Sequence, residues 1–64
     1  MDNWKTAKEG NFPPKNGLYR VQIKLDNGRL FSFENEYSSK KGFTFDTTMR
    51  ELGKPQRILA WRYL

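Results

Sequence analysis

A chain of 64 residues makes one domain and buries only about 60% of the surface its unfolded form exposes, so its core is small and its stability margin narrow. With Cys 0 and His 0, disulfides and Cys/His zinc sites are excluded as reinforcement, leaving aromatic burial (Phe 5, Tyr 3, Trp 2) or self-association. Lys plus Arg 12 against Asp plus Glu 7 gives a net charge of +5, which favours encounter with anionic partners and also serves simple solubility.

The chain opens Met1-Asp2-Asn3-Trp4-Lys5, without the apolar stretch of a secretory signal, and no apolar run approaches the roughly 20 residues of a membrane span. The expected location is the cytoplasm, with no membrane partner. Residues 1–17 show no sustained periodicity and read as an extended arm on a core of residues 18–64. Pro13-Pro14 favours extended geometry there, and a short helical turn around Trp4 to Glu9 is the alternative within the arm. Trp4 and Phe12 are its anchors, either covering a sheet face or offered to a partner.

From Leu18 the pattern alternates: Tyr19, Val21, Ile23 and Leu25 face one way, Arg20, Gln22 and Lys24 the other. A second alternating run sets Phe31 and Phe33 against Ser32 and Glu34. Parity decides the turn between them. A two-residue Asn27-Gly28 loop would mix the faces. A three-residue loop over Asp26, Asn27 and Gly28, with Gly28 left-handed in a bulge, sets Ile23 opposite Phe31 and Val21 opposite Phe33.

Asn35 to Gly42 is polar and charged and reads as an exposed connection. Gly42-Phe43-Thr44-Phe45 follows as a short strand. Asp46 is then the expected cap of a short helix over Thr47 to Leu52, ended by Gly53 and Pro55. Over Arg57 to Leu64, Leu59, Trp61 and Tyr63 alternate with Ile58 and Ala60. Apolar groups on both faces make this a central strand. The whole predicts an α+β, mostly β domain: a twisted antiparallel sheet of about four strands with one short helix and an extended N-terminal arm.

Trp4, the Pro13-Pro14 and Gly17 approach to Leu18-Tyr19-Arg20-Val21, the Asn27-Gly28 turn and the closing Ile58-Leu59-Ala60-Trp61-Arg62-Tyr63-Leu64 run resemble the small uncharacterised proteins common in phages and prophages. Those proteins usually continue into a Leu-Pro-rich tail that this sequence does not show. The resemblance implies a phage or prophage setting and carries no activity over.

Catalysis needs a nucleophile with a base in reach, paired carboxylates in a cleft, or a metal. Without His or Cys, the carboxylates are the main candidates, and Asp26 and Asp46 have turn and capping roles. Glu34 and Glu36 share a strand face but are too few for an oxygen-ligand cation site, so no enzyme activity, metal or cofactor is expected. Basic residues interleaved with aromatics carry more information. Arg20, Lys24, Lys40, Lys41, Arg57 and Arg62, with Trp61 and Tyr63, form the candidate binding surface. Its expected occupant is a protein with an acidic surface, and the resemblance to phage and prophage proteins implies a host protein, such as a defence nuclease or transcription component. The alternative is nucleic acid, whose phosphates the cations would track while an aromatic stacks a base. A second copy of the chain is the further alternative partner.

Overall fold

The computed structural model describes residues 4–8 and 10–64. The chain runs β1 (Lys5–Thr6), β2 (Gly17–Lys24), β3 (Leu30–Ser38), β4 (Gly42–Phe43), α1 (Thr44–Glu51) and β5 (Ala60–Arg62). All strand pairings are antiparallel, and the five strands form one half-barrel sheet in the order β1-β5-β2-β3-β4. The mostly β architecture agrees with the sequence expectation, with one strand more than the four or so foreseen. No helix among the described residues is long and apolar enough to cross a membrane.

The β2–β3 hairpin has the register that parity demands: Ile23 faces Phe31 and Val21 faces Phe33. Gly28 adopts a φ of 86°, and the Leu25 N–H donates to the Arg29 carbonyl at 2.8 Å, closing the three-residue bulged loop. Asn27 Oδ1 accepts the Arg29 N–H at 3.0 Å. Inside the curve of the sheet, Tyr19, Val21, Ile23, Tyr37, Phe43, Ile58 and Trp61 form the core, with Ala7, Leu25, Phe33 and Phe45 packed against it.

The exposed connection expected over Asn35 to Gly42 is instead mostly strand. β3 continues to Ser38, and Tyr37, only 8% exposed, sits in the core opposite Phe43. The inner row that starts at Phe31 and Phe33 runs on through Asn35 to Tyr37, while Glu34 and Glu36 occupy the outer row. Outward-facing charges hide this alternation in the sequence.

The short strand and its cap are also redrawn. β4 ends at Phe43, α1 begins at Thr44, and Phe45 lies on the helix. Asp46 is inside the first turn and does not cap the helix. The acceptor is Asn35, whose Oδ1 takes the Phe45 N–H at 2.9 Å, an interaction worth about 1 kcal/mol when such a cap is lost. The far end follows expectation. Gly53, at φ 72°, donates its N–H to Arg50 O at 3.1 Å and Lys54 donates to Met49 O at 2.9 Å, a Schellman pair.

Near the N-terminus, Lys5 and Thr6 pair with Trp61 and Ala60, so the arm begins as a strand and not as the helical turn considered for Trp4 to Glu9. Glu9 lies outside the described residues. Pairing satisfies backbone groups that β5 would otherwise leave open along a sheet edge, which explains why extended geometry wins there. The arm then folds over the inner face. Trp61 Nε1 donates to Asn11 O at 2.9 Å, Tyr19 Oη donates to Lys15 O at 2.7 Å, and Phe12 stacks on Tyr37 with centroids 6.1 Å apart.

β5 is central, between β1 and β2, as apolar residues on both faces predict. The expected alternation breaks at its start, where Ile58 joins Trp61 in the core. Gln22 faces Ala60, yet the Leu59 N–H also donates to Gln22 O at 2.9 Å. Two residues thus stand against one, as in a β-bulge, and the parity before β5 flips.

Candidate functional site

Two surfaces emerge once the strands are in register. The first is the outer face of the sheet, where the β1–β5–β2–β3 pairings align Trp4, Arg62, Arg20 and Glu34 in one cross-strand row. Arg20 and Arg62 are directly paired positions, and like charges placed so repel. The Arg62 guanidinium lies 5.7 Å from the Trp4 ring centroid. Leu18, the next outward position of β2, is 57% exposed, and Leu64, two residues past the end of β5, is 68% exposed. Glu36 stands opposite Leu18 in β3. Lys24 lies at the other end, opposite Leu30.

The second surface is a groove between the folded-back arm and α1. One depression of about 560 Å³ is lined by Phe12, Phe43 and Asp46 together with Lys41, Arg50, Lys54 and Arg57. An adjoining depression of about 500 Å³ shares Phe12 and Arg57 and adds Lys8. Phe12 keeps 42% of its surface exposed between them.

The sequence-predicted residues therefore separate. Arg20, Lys24 and Arg62 share the outer face, whereas Lys40 and Lys41 occupy the turn between β3 and β4, and Arg57 belongs to the groove with Lys41. Trp61 leaves the candidate surface. It is 2% exposed and its Nε1 is bonded to Asn11, so it offers no face to a base. Tyr63 is exposed but turned to the inner side, its ring 5.4 Å from Trp61 and 5.7 Å from Tyr19, with Lys5 Nζ 5.9 Å from its centroid. Leu18, Leu64, Lys8, Arg50 and Lys54 were not expected in either surface. The clustering of Arg50, Lys54 and Arg57 around the helix stop was the available signal for the groove.

Asp46 sits under the groove, its Oδ1 accepting the Ile58 N–H at 2.7 Å. Burial pushes its carboxyl above the ordinary value, against the opposing effects of that hydrogen bond and of Arg57 and Arg50. A raised folded-state value means a stability contribution fully present below the unfolded value and lost as pH rises through the folded one. Asp46→Asn keeps an acceptor for Ile58 and removes the titration. It should gain in stability relative to the wild type as pH goes from acid to neutral, as measured by denaturant melts at several pH values. A difference that is flat or shrinks over that range contradicts the assignment.

Fold and surfaces together define a small antiparallel-sheet domain that presents a mixed apolar and charged face on one side and a basic groove on the other. No family model, no curated protein and no solved structure matches the chain.

Proposed function

We propose that this protein is a non-catalytic binding module that works by occupying an acidic surface of a partner protein. Its contact surface is the outer sheet face around Leu18, Leu64, Arg20 and Arg62. The observation that carries this reading is the paired Arg20 and Arg62, with exposed Leu18 two residues before the one and exposed Leu64 two residues after the other. A carboxylate from a partner relieves the repulsion between the guanidinium groups, and the leucines and Trp4 supply apolar area to bury. Glu34 and Glu36 on the same face oppose a phosphate backbone and favour a protein with charges of both signs. The phage or prophage setting rests on the sequence resemblance alone. Within it the partner is a host protein whose activity the module modulates or inhibits, such as a defence nuclease or a transcription component.

The test is quantitative affinity capture from bacterial host lysate with the wild type and with Leu18→Ser/Arg62→Glu, both checked for a folded circular dichroism spectrum. A protein retained by the wild type and reduced at least tenfold on the variant supports the reading. Identical captured sets on the two baits overturn it.

A further inference from the structure

We propose that the groove between arm and helix is a second binding site, independent of the outer sheet face, and that it takes single-stranded nucleic acid. The two depressions adjoin along the groove, with Phe12 and Arg57 in the lining of both. Cations mark its whole course: Lys41 where β4 begins, Arg50 and Lys54 on the bank made by α1 and its C-terminal cap, Arg57 in the middle, and Lys8 beyond. Among the described residues the lining holds one carboxylate, Asp46, whose Oδ1 accepts the Ile58 N–H. The outer face mixes Arg20, Lys24 and Arg62 with Glu34 and Glu36, whereas the groove is dominated by one sign. A groove of that kind concentrates a polyanion, because each phosphate it neutralises releases counterions.

Phe12 decides which polyanion. One face of its ring stacks on Tyr37 at an interplanar angle of 18°, which holds it in place, and 42% of the residue remains exposed where the two depressions meet. An anchored, partly exposed aromatic among cations is a platform for an unpaired base. A duplex keeps its base faces stacked on one another and has nothing to lay on Phe12. A polyglutamate chain satisfies the cations but makes no use of the ring. The arm is what assembles this site: the β1–β5 pairing and the Ala7 N–H bond to Leu59 O place Lys8, and the bonds of Trp61 and Tyr19 to Asn11 and Lys15 hold the segment that carries Phe12.

The experiment is fluorescence anisotropy with a labelled thymidine oligonucleotide at about 50 and 200 mM salt, with an equal-length duplex and a polyglutamate peptide as competitors. For three or four phosphate contacts on a single strand, affinity should fall roughly 20- to 50-fold across that fourfold rise in salt. Arg50→Ala/Lys54→Ala changes exposed side chains only. It should weaken binding at least tenfold at low salt and reduce the salt effect to roughly 3- to 7-fold. Lys24→Ala/Arg29→Ala removes the same charge at the hairpin tip and should change affinity less than threefold. Phe12→Leu, which keeps apolar cover on Tyr37, should cost roughly fivefold or more. Leu18→Ser should leave oligonucleotide binding unchanged, so this site and the outer face succeed or fail separately. No binding at low salt, equal losses in the two double-charge variants, or equal competition by polyglutamate or duplex overturns the proposal.

Discussion

Trp61→Ala should leave no cooperatively folded protein. The ring is 2% exposed, lies edge-on to Tyr19 at 5.5 Å, and belongs to a residue paired with Val21 on one side and Lys5 on the other. Removing a buried tryptophan costs about 3–5 kcal/mol through lost burial and the cavity left behind. A core this small supplies only about 3–5 kcal/mol of net stability, so the loss consumes the margin. The damage also spreads. Nε1 donates to the Asn11 carbonyl, and without that bond the arm loses one of the ties that fold it over the inner face. Trp61→Phe keeps most of the apolar volume and gives up the hydrogen bond, so it should fold with a Tm lowered by roughly 5–15 °C. Thermal melts followed by near-ultraviolet circular dichroism distinguish the cases. A cooperative transition of the alanine variant within a few degrees of the wild type would show that Trp61 is not the centre of the core.

Phe43→Ala is the second large effect, and it acts on the helix and the groove together. Phe43 is 1% exposed, packs edge-on against Tyr37 at 5.0 Å, and immediately precedes α1. The helix has eight residues and no fully buried one of its own. Isolated helices of that length are not stable in water, so α1 depends on what holds its ends and its partly buried face. Those holds are Phe43, the 5.4 Å contact between Phe45 and Phe33, the Asn35 cap and the bond from Ile58 to Asp46. Opening a cavity under the first turn should cost about 3–5 kcal/mol, which takes most or all of the same margin: Tm falls by 15 °C or more or the transition is lost, and helical signal and amide protection across 45–52 go with it. Phe43→Leu should retain most of the helix. A Tm change below about 5 °C for the alanine variant would mean that α1 is held from elsewhere.

Part of this fold follows from short-range periodicity alone. The hairpin register was legible because a period of two and a three-residue loop leave one arrangement in which Val21 and Ile23 meet Phe33 and Phe31. The helix stop was legible because Gly53 and Pro55 are local signals, and the central placement of β5 because apolar residues sit on both of its faces. The tertiary structure alone decided where groups distant in the chain converge. Asn35 looks like a loop residue until its side chain meets the Phe45 N–H, and Tyr37 is masked by charged neighbours until Phe43 pairs with it. Lys5 and Thr6 are too short a run to show alternation, and pairing with the edge of β5 is what makes them extended. The bulge at Leu59 reverses a parity that the sequence presents as unbroken. The basic surface divides in two for the same reason. Alternation says which side of a strand an arginine takes, but Lys8, Phe12, Arg50 and Arg57 share a groove only because long-range hydrogen bonds and aromatic packing bring the arm back against the sheet.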